Sequence, residues 1–381
     1  MMSIALFAGT AWDRISRCII RDQSRGFQAA RLEYGGLTMS EFSRTISRRA
    51  TLGGIGAGLA WGLSSVHVRA QAGPNILKLG TQTLNDSQHE WMKIFARLVE
   101  ADTKGQIKVE LYPASQLGTA PRMIEGTQFG AIQGFVAPPE FLAGVDSRFE
   151  VLGSPGLFKS VAQANRTLQD PEFNKAFLAI GANKGLKGVG LFISGPAIFN
   201  TRNKATKVSD LENLKIRVLA SAIQMDQIRA LKATPVPMPL GEVLPALQQG
   251  TIDGVMSVLP VLTSLRFYDA AKYILETEQA MVSVVTVLSK LWYDKLPKEF
   301  QAVLDDAGQK ASVEVFPWAV EFIAKQRGTW EANGGQVTQL SAAERESLNA
   351  LLRPIGAAVT GKNPQEAALY ELLKKTAEKT A

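Results

Sequence analysis

Side chains that commonly carry catalysis are scarce in most of this 381-residue sequence. Beyond residue 72 there is no cysteine, which excludes a disulfide, a thiolate nucleophile and a cysteine-ligated metal from that part. His89 is its only histidine, so a histidine-rich metal site or a Ser-His-Asp triad is poorly supplied. Neighbouring acids such as Asp305 and Asp306 point apart on a helix and predict a solvated face. We therefore expect no catalytic residues, and the composition favours a binding protein over an enzyme.

The sequence also lacks the short motifs that bind common cofactors. It has no Gly-x-Gly-x-x-Gly after a strand pattern, no Gly-Lys-Ser/Thr phosphate loop, no His-Glu-x-x-His and no Gly-x-Ser-x-Gly. We expect neither a cofactor nor a metal. Nine arginines and four acids give residues 1–72 a net charge of +5, which leaves only +2 for the remainder. A nucleic-acid partner needs a basic face on the folded part, so none is expected.

One charged residue is an exception because of its setting. Arg217 lies at the end of the strand pattern 215–218, and a buried guanidinium costs free energy unless it is paired. Its planar group can hold a carboxylate through two parallel hydrogen bonds. The partner is either an acid of the chain or a carboxylate ligand, and residue type alone favours the internal salt bridge.

Strand and helix patterns alternate from residue 73 onward. Ser87 with Glu90 three residues later predicts a capping box at the start of a helix. Residues 131–137 predict a buried strand, residues 171–184 predict a helix, and the proline-broken segment 236–239 predicts a sheet edge or hinge. This alternation favours an α/β fold with mainly parallel sheets. Ligands in such folds bind beyond the carboxyl ends of strands or between domains.

A long amphipathic helix is predicted from Pro297 onward. Its apolar stripe recurs at helical spacing, and Pro317 inside it predicts a kink. The stripe comprises Phe300, Val303, Leu304, Ala307, Ala311, Val315, Trp318 and Phe322. At roughly 100–200 residues per domain, the length predicts two domains.

Residues 47–65 have the layout of an export signal. The motif Ser-Arg-Arg-x-x-Leu at 47–52 resembles a twin-arginine signal, and an ordinary Sec signal is the alternative. The glycine-rich stretch that follows is shorter than the ~20 apolar residues of a spanning helix. Ala70 and Ala72 form a cleavage pattern. We expect cleavage near Ala70–Ala72 and a mature protein that is periplasmic and not embedded in the membrane.

The first 38 residues fit no signal layout, whereas Met39 begins a conventional one. We expect translation to start at Met39, with residues 1–38 an extension of the reading frame. The alternative is a translated leader. A peptide from residues 1–38 in the mass spectrum of the unprocessed precursor would contradict the start at Met39.

Six segments in order together resemble a known family over about residues 75–375. They are residues 112–118, 130–132, 211–218, 233–243, 246–254 and 295–301. Their sequences include Tyr-Pro-Ala-Ser-Gln-Leu-Gly, Ile-Arg-Val, Pro-Val-Pro-Met-Pro and Gly-Thr-Ile-Asp-Gly. The chain is similar to the solute-binding subunits of TRAP (tripartite ATP-independent periplasmic) transporters, the DctP-type family.

The resemblance implies a two-domain periplasmic-binding-protein-like α/β fold with hinge strands and a long kinked helix. It assigns residues 73–195 plus about 285–310 to domain I, and 196–284 plus parts of 311–381 to domain II. The domains would close over a small organic acid and deliver it to the small and large membrane subunits of a TRAP transporter.

The resemblance also implies site residues. Arg217 occupies the position of the carboxylate-binding arginine of the family, which changes the balance in favour of a ligand over a salt bridge. The other positions carried over are Gln82, Phe135, Val136, Leu240 and Ser257, each of which has a core position as its alternative.

Two departures from the family pattern bear on the ligand. Many relatives have a second arginine where this chain has residues 195–197, Gly-Pro-Ala, and the segment 253–257 lacks a Glu-Asn pair. Arg202 lies near in sequence, but a surface loop is its expected place. The predicted ligand therefore has one carboxylate and an apolar body: an aromatic, branched or keto monocarboxylate.

Two other function classes remain open on sequence alone. An ABC-type or sensory ligand-binding protein shares a similar scaffold, so the motifs separate it poorly. A hydrolase or lyase on the same scaffold would need a base and a nucleophile facing the cleft, which this composition hardly supplies.

Overall fold

Residues 75–381 are described by a computed structural model, and their strands form two sheets. The strands are β1 (Asn75–Thr81), β2 (Ile107–Tyr112), β3 (Gly134–Ala137), β4 (Leu186–Pro196), β5 (Ile198–Thr201), β6 (Lys215–Val218), β7 (Thr234–Pro237), β8 (Gly254–Ser257), β9 (Tyr273–Glu276), β10 (Met281–Ser289) and β11 (Gln336–Gln339). The predicted leader, export signal, cleavage site and start at Met39 lie outside the described residues.

Helices follow most of these strands. They are α1 (Ser87–Asp102), α2 (Ala120–Phe129), α3 (Val161–Gln169), α4 (Pro171–Leu178), α5 (Ala222–Ala230), α6 (Leu240–Gln249), α7 (Leu259–Ser264), α8 (Lys290–Tyr293), α9 (Lys298–Ala332), α10 (Ala342–Leu352), α11 (Pro354–Thr360) and α12 (Pro364–Lys379). Short 3-10 helices lie at Pro139–Leu142, Ser147–Gly153, Ala182–Lys184, Val208–Leu211 and Phe267–Asp269.

Both sheets are mixed. The first has the order β2-β1-β3-β10-β4 and the second β11-β9-β5-β8-β6-β7. Strand β1 is parallel to β2 and β3, and β6 is parallel to β7 and β8. The antiparallel pairings are all made by β5 and β10. Both strands arrive from the other sheet through a short connection without a helical crossover, which a parallel neighbour would require. The predicted α/β class is confirmed.

Each sheet has apolar cores on both faces, and each sheet with its cores is called a lobe below. In the first lobe, Phe135 and Phe149 belong to one core, and Trp91 and Phe192 belong to the other. In the second lobe, one core includes Val255 and Trp330, and the other includes Val218, Ile228 and Leu275. The predicted boundaries of domains I and II stay a prediction.

Helix α9 connects the lobes. Leu304 and Ala311 near its start are buried in the first lobe, and Trp330 near its end is buried in the second. Its 35 residues correspond to a length of about 50 Å at 1.5 Å per residue. Pro317 lies inside the helix, as predicted. Trp318 and Phe322 were predicted as part of the apolar stripe but are only half-buried. Their rings stack on each other, with ring centres 4.6 Å apart.

Three predicted element boundaries are wrong for identifiable reasons. Helix α1 is capped by Asp86 instead of Ser87, because the Asp86 carboxylate accepts from the backbone N–H of His89 at 3.1 Å. The predicted helix 171–184 ends at Leu178, since Gly181 has φ 78° and stops it. Of the predicted strand 131–137, only Gly134–Ala137 is strand. The segment 236–239 lies at a sheet edge, as predicted, because it begins in β7, which is the outermost strand of the second sheet.

Candidate ligand-binding site

A pocket lies between the lobes where the parallel strands end. Gln82 follows β1, Pro138 follows β3, Leu219 follows β6, and Ser257 is the last residue of β8. The carboxyl ends of parallel strands leave a crevice at the edge of a sheet, and here both sheets contribute one. The pocket encloses about 570 Å³ of empty space, part of it open to solvent.

Arg217 supplies the charge of this pocket. Its side chain is 2% exposed, and its Nε and Nη2 both donate to the backbone oxygen of Met238 at 3.0 Å. Among residues 75–381, no carboxylate oxygen lies within 4.0 Å of its nitrogens, so the internal salt bridge has no partner there. Burial lowers the pKa of Arg217 to about 10, so the guanidinium stays protonated at neutral pH.

The local sequence explains how Arg217 is held. Strand β6 lies between β7 and β8, where Arg217 is opposite Val236 and Val255. Strand β7 ends at Pro237, so the Met238 carbonyl lies beyond the last ladder position. That carbonyl is therefore available to the guanidinium. The proline-broken edge thus has a second role, since it orients the arginine.

The first lobe contributes a neutral polar surface, the first wall, made of Gln82, Thr83, Gln88 and Ser194. Asp86 is fully buried behind it and accepts from the Thr83 hydroxyl at 2.9 Å and from the Gln88 amide at 3.4 Å. Burial raises the pKa of Asp86 above its usual value, and these hydrogen bonds oppose the rise. Gln82 is 7% exposed, and its buried Oε1 has no hydrogen-bond partner in the described part of the chain.

The second lobe contributes the second wall, in which Arg217 is joined by Leu240, Met256 and Ser257. Gln224, near the start of α5, also lines the pocket. Its side-chain amide oxygen, Oε1, accepts from the Leu219 backbone N–H at 3.0 Å. The lining is otherwise mostly aliphatic, so the pocket combines one cation, several amides and hydroxyls, and a large apolar surface.

Four of the six proposed site residues line this pocket: Arg217, Gln82, Leu240 and Ser257. Phe135 and Val136 do not, and both are fully buried. They lie on β3, which has β1 and β10 on either side and a core on each face. Successive strand residues point to opposite faces, so each of the two enters a different core. The residues after the strand, Pro138 and Phe141, reach the pocket instead.

Sequence reasoning missed Thr83, Gln88, Phe141, Ser194 and Gln224. For Gln224 a sequence pattern existed: Ser221 caps α5, and its hydroxyl accepts from the Gln224 backbone N–H at 3.3 Å. A polar residue three positions after a cap has its side chain near the helix start, and here that start faces the pocket.

Two other chemical groups of the sequence lie apart from the pocket lining. His89 accepts at Nδ1 from the Asn85 backbone N–H at 3.2 Å, and burial together with Lys93 lowers its pKa. Arg202 is exposed, as expected of a loop residue. Within residues 75–381, no three His, Cys, Asp or Glu side chains are grouped so that they could hold a metal ion. In the same range, no helix is both long enough and apolar enough for a membrane crossing.

Known proteins resemble this chain in sequence. The 2,3-diketo-L-gulonate-binding periplasmic protein YiaO of Escherichia coli (strain K12) is 33% identical over 257 residues, which cover 67% of this chain and 76% of that protein. The C4-dicarboxylate-binding periplasmic protein DctP of Rhodobacter capsulatus is 28% identical over 319 residues, which cover 81% and 92%.

A solved structure resembles it in fold. A TRAP periplasmic solute-binding protein from Desulfovibrio salexigens, crystallised with bound orotic acid, superposes with a TM-score of 0.76 at 25% identity. The match covers 80% of this chain and 99% of that one.

A family model that matches most of the described residues identifies the family of this chain. The family model of the bacterial extracellular solute-binding proteins, family 7 (DctP), matches residues 80–362. The resemblance drawn from the six sequence segments is thereby confirmed. This chain belongs to family 7 of the bacterial extracellular solute-binding proteins, the DctP family.

Proposed function

We propose that this chain captures a small organic acid in the interlobe pocket, holds its carboxylate on Arg217 and delivers it unchanged to the membrane subunits of a TRAP transporter. The observation that carries the proposal is the state of Arg217. It is a buried, protonated guanidinium that lines the pocket and has a backbone carbonyl, but no acid among residues 75–381, as its partner.

The hydrogen-bond inventory of the guanidinium supports a carboxylate. Arginine has five N–H donors, of which Met238 takes two. The donors that remain on Nη1 and Nη2 form the fork that suits two parallel bonds to a carboxylate. A ligand anion would also compensate the cost of burying the arginine charge. The relatives named above bind diketogulonate, a C4-dicarboxylate and orotic acid, all of which are acids.

The ligand class we propose is a monocarboxylate with an apolar body, of the aromatic, branched or keto type. Arg217 is the one charged side chain among the described residues that line the pocket. A dicarboxylate would leave its second charge against Leu240, Met256 and other aliphatic groups. The amides of Gln82 and Gln224 suit a keto or hydroxyl oxygen beside the carboxylate.

Binding across two lobes provides the signal for delivery. A ligand that contacts both walls favours the closed arrangement by its differential affinity for it. The family assignment favours this reading over an ABC-type or sensory protein, whose scaffold is similar. Cleavage near Ala70–Ala72, by the twin-arginine or the Sec route, would bring the chain to the periplasm.

We propose no chemistry on the ligand. The described pocket lining offers a guanidinium, amides and hydroxyls, and Asp86 is buried behind the wall with its carboxylate already engaged by Thr83 and Gln88. A hydrolase or lyase needs a base within reach of the substrate.

A thermal-shift screen of organic acids tests the proposal. The panel comprises orotate, phenylpyruvate, 2-oxoisovalerate, D-glucuronate and succinate. A ligand at 100 times its Kd stabilises the fold by about 2.7 kcal/mol, which raises the Tm by a few degrees. We expect at least one monocarboxylate to do so and succinate to do so less.

Arg217→Ala should abolish that shift while the ligand-free variant stays folded by circular dichroism. Arg202→Ala, which removes an exposed arginine of the same lobe, is the matched control and should keep the shift. A chain that loses its fold with Arg217→Ala yet keeps its affinity would instead assign the arginine a structural role.

A further inference from the structure

Two buried acids lie beside the pocket without lining it. Glu140 belongs to the 3-10 helix Pro139–Leu142 and is 1% exposed, and Glu150 belongs to the 3-10 helix Ser147–Gly153 and is 5% exposed. Neither forms an ion pair with a basic side chain of residues 75–381. A buried carboxyl without a cation needs another form of stabilisation, so the neighbours of these two acids show what they hold.

Glu150 holds the start of helix α5. Its Oε2 accepts from the Ser221 hydroxyl at 2.7 Å and from the Ile223 backbone N–H at 3.3 Å. Ser221 is the N-cap of α5, and the free N–H groups and dipole of a helix start favour a negative charge. Glu150 therefore acts as a second cap, supplied by another part of the chain.

Glu140 lies against Gln224, one turn into the same helix. Burial raises the pKa of Glu140 to about 8, repulsion from Glu150 adds to the rise, and the nearby Gln224 amide opposes it. Within residues 75–381, the buried Oε2 of Glu140 has no hydrogen-bond partner. Gln224 is held instead through its side-chain oxygen, which accepts from the Leu219 backbone N–H at 3.0 Å. The geometry of the α5 start therefore depends on Glu150 and Leu219.

The two hydrogen bonds of Glu150 join the two lobes. Phe149 and Val151, next to Glu150, are buried in a first-lobe core, whereas Ile228 on α5 is buried in a second-lobe core. A third bond crosses at the same place, from the Gln227 amide to the Gly153 carbonyl at 2.9 Å. The first turns of α5 are therefore held by the lobe opposite to the one that contains the helix.

We infer that Glu150 is a positioning residue of the binding site: it holds the first turn of α5, and with it Gln224, over the pocket. It touches no ligand, and it sets affinity through the helix turn that carries the Gln224 amide. This inference rests on the proposed function for the meaning of the site, but the contacts themselves are testable without a ligand.

A double-mutant cycle tests the action of Glu150 through Gln224. The probe is the panel acid among orotate, phenylpyruvate and 2-oxoisovalerate that gives the largest shift, and its Kd is measured by calorimetry. Glu150→Ala and Gln224→Ala should each raise Kd about tenfold, as expected for one well-placed hydrogen bond, and the double variant should be no weaker than Gln224→Ala alone. Glu150→Gln keeps an oxygen that can accept from Ser221 and Ile223 and should restore most of the affinity lost in Glu150→Ala.

Hydrogen exchange of the full chain without ligand tests Glu150. Glu150→Ala should speed exchange at the amides of Ile223 and Gln224 by about tenfold and should also raise Kd. Glu344→Ala is the matched control, because Glu344 closes the exposed capping box of α10 with Ser341. It should leave both the α5 exchange and the Kd unchanged.

Two results would overturn the inference. One is a lower Tm for Glu150→Ala with an unchanged Kd, which would make Glu150 purely structural. The other is unchanged α5 exchange in Glu150→Ala, whether or not any acid binds. If no acid binds the unmodified chain, the proposed function fails, and the exchange measurement still decides whether Glu150 holds α5.

Discussion

The two lobes contribute unlike surfaces to one pocket. The first wall consists of neutral amides and hydroxyls that are oriented by Asp86 behind them. The second wall contains the charged Arg217 among aliphatic side chains and is oriented by a backbone carbonyl. Under the proposed function recognition is divided: the second wall supplies the charge that attracts an acid, and the first wall supplies neutral contacts. Binding that needs both walls favours the closed form.

Removing the charge of the second wall should have the largest effect. Arg217→Met keeps an apolar stem of similar length but removes two charge-assisted hydrogen bonds, and we expect a rise in Kd of about 100-fold or more. The ligand-free variant should be as stable as the unmodified chain or more stable, because a buried unpaired charge is gone. Calorimetry and urea unfolding measure the two effects, with Arg202→Met as the exposed control. An unchanged Kd for Arg217→Met would contradict the proposal that the second wall supplies most of the attraction for the ligand.

Removing Asp86, which supports the first wall from behind, should lower the stability of the fold more than it weakens ligand binding. Asp86→Ala deletes the cap of α1 and the acceptor of Thr83 and Gln88, and we expect a loss of about 2 kcal/mol in the free energy of unfolding. Urea unfolding measures it. Ser341→Ala removes the exposed cap of α10 and should cost about 1 kcal/mol without changing Kd. Equal effects of the two variants on Kd would show that the Asp86 network is not part of the site.

Two buried ionisable groups at the pocket should also differ in their response to pH. Arg217 on the second wall stays charged through neutrality, whereas Glu140, which the first lobe buries beside the pocket, has a pKa raised from 4.5 to about 8. The folded chain therefore binds the Glu140 proton more tightly than the unfolded chain does. The contribution of Glu140 to the free energy of unfolding is highest below pH 4.5 and falls as the pH rises toward 8, by at most about 1.4 kcal/mol per pH unit. Urea unfolding at several pH values should show this slope, and Glu140→Gln should flatten it; an equal slope in both chains would contradict the buried proton.

Single neutral contacts of the first wall should have the smallest effect. Gln82→Ala removes an amide whose buried oxygen has no partner in the described residues, and we expect Kd to rise by about tenfold or less. Ser257→Ala on the second wall is the matched neutral change and should cost no more. Calorimetry separates the two, and a loss as large as that of Arg217→Met would mean that an amide, not the charge, dominates binding.

Much of the fold followed from local patterns. The alternation of strands and helices, the long helix with Pro317 and the proline-broken edge at 236–239 all depend on near neighbours in the chain, and the structure contains each of them. Errors of one to several residues arose where two local groups compete, as when Asp86 rather than Ser87 caps α1. Arg217 was identifiable because a charge in a buried strand demands a partner, and the motif around it favoured a ligand.

The sequence by itself determined the α/β class and the family, and it singled out Arg217 as the candidate carboxylate-binding residue. Only the tertiary structure decided that no acid of residues 75–381 reaches Arg217, that Phe135 and Val136 lie in cores, and that Gln224 lines the pocket. The physical reason is that periodicity gives the face on which a side chain lies, whereas burial depends on what packs against that face. Those partners, such as β10 against β3 or Glu150 against α5, come from distant parts of the chain.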